Sequence, residues 1–255
     1  MIKSKAKMKV FKIENAQILV KNVKKIYHTG DLDVHALNGI NLRVKKGAFK
    51  MILGPSGCGK STLLNVIGGL DSPDSGEILI NLGDEFKDIT KFSKKELSLF
   101  RRKNIGIIFQ FYNLIPILTA LENVELAARF SQIPKPRQKS KELLIKFGLG
   151  DKFKRFPNQL SGGEQQRVAV ARALIKDPIV ILADEPTGNL DTHKSNEIYK
   201  ILKGLSEEYG KTVLIVTHDE DMADKYAEDH IHIRDGVIFK SEEEAHQDIY
   251  KNNKE

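Results

Sequence analysis

Long apolar runs are missing from this 255-residue chain. None approaches the roughly 18–20 residues a helix needs to span a bilayer, so a helical membrane span is excluded. The basic start at 1–9 is followed by no apolar stretch, and a secretory signal is not expected there. Cysteine is all but absent. Cys58 stands alone, so no disulfide can form within the chain, and a single thiol points to a reducing compartment, hence the cytosol. Internal repeats and low-complexity tracts do not stand out. Charge of one sign is not concentrated either: the net +7 is spread along the chain, as on a solvated surface rather than a patch built for nucleic acid or anionic lipid. The basic 1–15 and the acidic-led 241–255 read as poorly ordered tails.

What is present suits one large domain, or a core with a subdomain: 40% of residues are apolar and 29% charged. Short, nearly continuous apolar runs at 49–53, 179–183 and 212–216 read as buried strands of a parallel sheet, with 105–109 a fourth weakened by its glycine. The runs at 18–27 and 40–44 alternate more, as half-covered antiparallel strands do, and 78–80 reads as another strand. Asp235-Gly236 between 230–234 and 237–240 is a two-residue hairpin signal. Helices are expected at 62–67, 94–102, 139–147, 164–176, 194–209 and 219–226. Asp177-Pro178 stops the fourth of these, because proline lacks a donor and restricts its predecessor. The mostly helical, proline-bearing stretch 93–160 interrupts the strand series and reads as a helical subdomain inserted into a core formed by 17–92 and 161–240.

Three motifs carry chemistry. Gly54, Pro55, Ser56, Gly57, Cys58, Gly59, Lys60 and Ser61 spell G-x-x-x-x-G-K-S between the strand at 49–53 and a helix opening at Thr62. A strand delivers a glycine-rich loop whose N–H groups point inward, and the next helix begins with its positive end facing the same space. That arrangement suits a nucleotide's phosphates, with Lys60 reaching the β- and γ-phosphates and Ser61 on a Mg²⁺ ion. The second motif, the strand ending in Asp184 and Glu185, offers one carboxylate for the metal and one to polarise a water. In the third, Ser161-Gly-Gly-Glu164, Ser161 and Glu164 suit a helix capping box. Gly162 and Gly163 are poor helix formers, and their value is bare backbone at a helix's positive end, a second anion site.

With Leu160-Ser-Gly-Gly-Glu-Gln-Gln-Arg167 standing 101 residues beyond Lys60 and upstream of Leu182-Ala-Asp-Glu-Pro186, the chain resembles the ATP-binding subunits of ABC transporters from about 18 to 240. The resemblance implies an α/β fold: a P-loop NTPase core with a mainly parallel sheet, an antiparallel β-subdomain and an inserted helical subdomain. It also implies ATP and Mg²⁺ as ligands and a head-to-tail homodimer closed by ATP. Tyr27 matches the aromatic that stacks on adenine, with a core-packed strand tyrosine as the alternative. Gln110 matches the glutamine that reaches metal and water, His218 the histidine on the γ-phosphate, and Asp191 belongs to the loop that contacts the opposing subunit. Ser61, Gln110 and Asp184 would hold Mg²⁺, and Glu185 would be the general base beside Lys60. Cys58 departs from the serine frequent at its position, without consequence for the backbone N–H that meets phosphate.

Within the family, 111–124 is similar to the branch of lipoprotein-releasing, macrolide-export and cell-division ATPases. Phe111, Tyr112, Leu114, Ile115, Ile117 and Leu118 around Pro116 either form the small core of the helical subdomain or leave an apolar groove for a cytoplasmic helix of a separate transmembrane permease. The resemblance thus implies a cytoplasmic protein, peripheral on the inner face of the cell membrane through that permease, with no nucleic-acid partner. The competing class, ABC-type ATPases acting on nucleic acid or ribosomes, inserts a long coiled coil or carries two such domains, and this chain has neither. A scaffold role close to the cell-division branch is a third reading. Retention of Glu185 and His218 argues for intact hydrolysis.

Overall fold

The computed structural model describes residues 15–240 except 31, 84 and 228, so the expected tails, apart from Asn15, lie outside the described residues. Strands β1 (Ala16–Thr29) and β2 (Leu32–Lys45) form one long antiparallel hairpin. Two shorter strands were expected here, joined by a loop. Pairing instead runs on through Tyr27 opposite Val34 and His28 opposite Asp33, with His28 Nδ1 2.6 Å from Asp33 Oδ1. Cross-strand partners, invisible to a reading of either segment alone, extend the ladder. β4 (Ser75–Asn81) pairs with β1, and β5 (Phe86–Asp88) with β4, giving an antiparallel sheet in the order β2-β1-β4-β5.

The second sheet combines β3 (Phe49–Leu53), β6 (Ile105–Ile108), β7 (Val180–Asp184), β8 (Thr212–Thr217), β9 (His230–Arg234) and β10 (Val237–Phe239) in the order β10-β9-β3-β8-β7-β6. Every pairing is parallel except β9–β10. That last turn carries Asp235 and Gly236 at φ 47° and 73°, the pair of left-handed residues that matches the twist of a two-residue hairpin. Seven α-helices complete the described residues: α1 (Lys60–Ile67), α2 (Lys94–Asn104), α3 (Ala120–Phe130), α4 (Pro136–Lys146), α5 (Gly162–Leu174), α6 (Thr192–Glu207) and α7 (Glu220–Tyr226).

Alternation along the strands sorts their side chains to two faces. Ile52, Leu182, Leu214 and Val216 pack on Leu63, Leu64 and Ile67 of α1 and on Ile18, Ile40, Ile78 and Ile80 of the antiparallel sheet. Met51, Leu53, Ile181, Val213 and Ile215 pack on Ile198, Tyr199 and Leu202 of α6 and Met222 of α7. A separate cluster, including Leu121, Val124, Ala128, Leu144, Leu149 and Val168, joins α3, α4 and α5. The mostly helical stretch 93–160 also holds β6, the strand expected at 105–109, at the edge of the parallel sheet. α3 was not among the expected helices, though its signals are in the sequence: Thr119 and Glu122 form a capping box, and Leu121, Val124 and Ala128 share a buried face.

Where α5 ends against α2, Lys176 Nζ donates to the Arg101 carbonyl at 2.9 Å. Burial, with the Arg101 charge adding to it, pulls the Lys176 ammonium down to about 8. The unfolded chain then binds more protons than the folded one between about pH 8 and the ordinary lysine value, so stability should rise with pH across that window. Lys176→Met removes the buried charge. It should be about 1–2 kcal/mol more stable than wild type at pH 7, the advantage vanishing towards pH 10. Denaturant titrations at pH 7, 8.5 and 10 check this, and a constant difference across all three contradicts it.

Candidate functional site

Because β3, β6, β7 and β8 run parallel, the loops leaving their C-terminal ends gather along one edge of the sheet. The tightest is 54–59. A Cβ on Gly54 would stand 2.3 Å from the Ile233 carbonyl oxygen, and one on Gly59 2.3 Å from that of Ala36. Gly59, at φ 105°, caps α1 with no side-chain hydrogen bond. The first N–H groups of the helix are therefore left for a ligand in the loop.

Lys60 opens α1 with its side chain 5% exposed, its Nζ donating to the carbonyls of Gly54 at 2.6 Å and Pro55 at 2.7 Å. The same Nζ lies 3.9 Å from Glu185 Oε1. Ser61 Oγ donates to Asp184 Oδ1 at 2.9 Å across the gap between α1 and the tip of β7. Burial raises the Asp184 carboxyl above its usual range and the Glu185 charge adds to this, while the Ser61 hydroxyl and Lys60 pull it back. Burial likewise raises the Cys58 thiol against the pull of Lys60, which keeps it a neutral wall of the loop.

Glu185 adopts φ 43°, left-handed backbone in a residue with a full side chain. Its N–H donates to the Val216 carbonyl at 2.9 Å, tying the turn to β8. The carboxylate faces His218 Nδ1 at 3.2 Å. Backbone strain of this kind persists only where the surroundings over-determine it, and it concentrates at functional sites. Gln110, just past β6, reaches the same loop from the other side: its carbonyl accepts from Asn189 Nδ2 at 3.0 Å, and a Cβ on Gly188 would be 2.9 Å from its Nε2.

Tyr27 is not a core tyrosine. It is 37% exposed, its hydroxyl donates to Asp71 Oδ2 at 2.8 Å, and the Lys25 ammonium stands 5.1 Å from the ring centroid. Burial and then the Asp71 hydrogen bond raise the phenol, with Thr62 of α1 as an opposing partner, so the ring borders the opening of the phosphate loop's helix.

Ser161, Gly162 and Gly163 open α5, with Gly162 against Leu190 and Asn189 of the loop that follows Glu185. Ser161 does form the capping box, its Oγ accepting from the Glu164 N–H at 3.3 Å and its own N–H donating to Glu164 Oε2 at 2.8 Å. Close to the two glycines are Tyr112 Oη, at 2.9 Å from a Cβ on Gly162, and Lys194 Cδ, at 3.1 Å from one on Gly163. Asp191 caps α6 by accepting from the Lys194 N–H at 2.9 Å. Sequence reasoning missed Asp71, which holds Tyr27, and the left-handed turn at Glu185. No local pattern marks either one, because each depends on a partner from another element.

A parallel sheet with a phosphate-binding loop, a metal-competent Ser–Asp pair and a Glu–His pair at its strand ends defines a phosphate-loop ATPase. The pattern of the ABC transporter family matches residues 37–188. The chain is 49% identical over 225 residues to an uncharacterized ABC transporter ATP-binding protein of Methanocaldococcus jannaschii, covering 88% of this chain and 98% of that one. It is 45% identical over 224 residues to the lipoprotein-releasing system ATP-binding protein of Cytophaga hutchinsonii, covering 85% of this chain and all of the relative. A solved dimeric ATP-binding cassette of Methanocaldococcus jannaschii, in a post-hydrolysis state bound to ADP and Pi, superposes with a TM-score of 0.80 at 44% identity, over 88% of this chain and 98% of that one. The chain belongs to the ABC transporter family, as its ATP-binding and ATP-hydrolysing subunit. Among the described residues no helix is long and apolar enough to cross a membrane.

Proposed function

We propose that the subunit hydrolyses ATP at the ends of β3, β7 and β8 and passes the resulting change to a separate permease of the lipoprotein-releasing or export type. One observation carries this reading: Lys60, Ser61, Asp184, Glu185 and His218, from three segments of the chain, are linked by contacts of 3.9 Å or less. Lys60 trades its loop carbonyls for the β- and γ-phosphates, and His218 contacts the γ-phosphate. Glu185 accepts a proton from the attacking water, held in place by its tie to β8. Tyr27 stacks on the base. The hydroxyl of Ser61 and the carboxylate of Asp184 are hard oxygen donors already side by side, and with Gln110 they suit Mg²⁺, which usually takes one or two protein ligands plus substrate phosphates. When bound, Mg²⁺ would neutralise charge developing on the phosphates.

Ser161, Gly162 and Gly163 sit at a helix N-terminus away from their own phosphate loop. They serve the ATP of a second copy of the chain, and Asp191 faces that copy. The dimeric state of the ADP-bound relative supports this arrangement. ATP bridges the two copies, and its loss lets them part. Docking on the permease would hold the subunit peripherally on the inner face of the cell membrane.

The docking face is the apolar segment at 111–124. Here side-chain exposure divides the residues grouped together above. Ala120, Leu121 and Val124 are buried, Leu118 is partly covered, and Phe111 and Ile117 are 71% and 82% exposed. Ile117→Glu, rather than a change at Leu118, is thus the clean probe. The variant should stay soluble with basal ATPase unchanged, while permease association weakens by about tenfold or more. Undiminished co-purification with the permease contradicts the docking assignment.

A further inference from the structure

Arg172 is a half-buried cation on α5 with an unusual set of partners. Its Nη2 donates to the Tyr112 carbonyl at 2.7 Å and its Nη1 to the Asn113 carbonyl. Among the described residues no carboxylate pairs with it. Guanidinium groups do not shed their proton in proteins, so this charge is kept partly out of water against two carbonyls of one loop. The loop is itself under strain. Tyr112 and Asn113 are consecutive non-glycine residues at φ 58° and 49°, a conformation that asparagine visits readily but tyrosine avoids unless held.

The same loop follows Gln110 by one residue. Its other strap is Tyr112, whose hydroxyl lies 2.9 Å from where a Cβ on Gly162 would be, at the N-terminal end of α5. The segment 110–113 is thus laid along α5, gripped at Tyr112 and Asn113 by Arg172 and bounded at the glycines of the anion-binding turn by the Tyr112 ring. Gln110 meanwhile contacts Gly188 and Asn189, in the loop that begins with Glu185.

We propose that Arg172 is a positioning residue that fixes Gln110 to α5, so that the helix presenting Ser161, Gly162 and Gly163 and the glutamine at the neighbouring metal site move as one body. The inference rests on the reading of Gln110 given above. A guanidinium suits the task because its planar fork reaches two carbonyls at once, which an ammonium cannot do with the same geometry. Arg172 touches no nucleotide group itself. Its loss should let the loop relax out of its left-handed turn and misplace Gln110, lowering kcat while ATP binding to the phosphate loop persists.

The test compares Gln110→Ala, Arg172→Met, Arg172→Lys and Arg172→Met with Asn113→Gly in the full chain. ATP turnover and equilibrium binding of a fluorescent ATP analogue are measured for each. Arg172→Met should lower kcat on the order of tenfold to a hundredfold with nucleotide affinity unchanged. Adding Asn113→Gly should recover part of that loss, because glycine adopts the left-handed turn at lower cost still than asparagine. A merely structural arginine would not be rescued this way. Wild-type kcat in folded Arg172→Met, or affinity falling as far as kcat, overturns the proposal. If Arg172→Met does not fold, Arg172→Lys decides: lowered kcat at unchanged affinity upholds it, and wild-type kcat overturns it. Should Gln110→Ala itself turn over normally, the fault lies with the role given to Gln110 and not with the clamp alone.

Discussion

Lys60→Ala is expected to lower ATP turnover at least on the order of 10²–10³-fold, the loss that follows removal of one preorganised donor from a developing anion. The Lys60 side chain is 5% exposed and already surrounded by Gly54 O, Pro55 O and Glu185. Little water can take its place, and the phosphates would keep only the N–H groups at the start of α1. Two carbonyls of the loop would also lose their donor, so affinity should fall together with kcat. The folded core should be nearly untouched, because Lys60 contributes no apolar packing to either face of the sheet. Steady-state ATPase assays beside a thermal melt separate these effects. Turnover at the wild-type rate would end the assignment of 54–61 as the catalytic phosphate site.

Glu185→Gln is the other large effect. Glutamine matches glutamate in shape and keeps the backbone tie to Val216, but it cannot accept the proton of water. Turnover should drop on the order of 10²–10⁴-fold while Lys60, Ser61 and Asp184 still receive ATP. Two subunits bridged by uncleaved ATP should then accumulate, visible as a dimer on a sizing column in ATP and as monomer without it. A variant that remains monomeric in ATP while wild type dimerises would remove Glu185 from this role.

The chain's local patterns carried a good deal of this. The G-x-x-x-x-G-K-S loop, the strand ending in Asp184 and Glu185 and the Ser161–Glu164 box each need a specific residue at a specific step. Such requirements are local, so they are written in consecutive letters. The same is true of β7 and β8, whose unbroken apolar runs can only be strands covered on both faces. The capping signal at Thr119 and Glu122 was equally local, and α3 could have been read from it.

Other features depend on which segments meet. β6 was legible as a strand, but its place at the edge of the sheet came only from its pairing with β7, since a strand's position is decided by its neighbours and not by the strand. The ladder through Tyr27 and Val34 has the same origin. Exposure separates Ile117 from Leu118, neighbours in the same apolar run, and nothing within the run marks which of them is covered. Strain at Glu185 and Tyr112 is tertiary by nature: neither residue type favours a left-handed backbone, and contacts from β8 and Arg172 hold it. The sequence by itself marked the candidate groups for phosphate and the buried strands of the parallel sheet. The tertiary structure alone decided how those groups are aimed, because aim depends on side chains brought together from segments far apart along the chain.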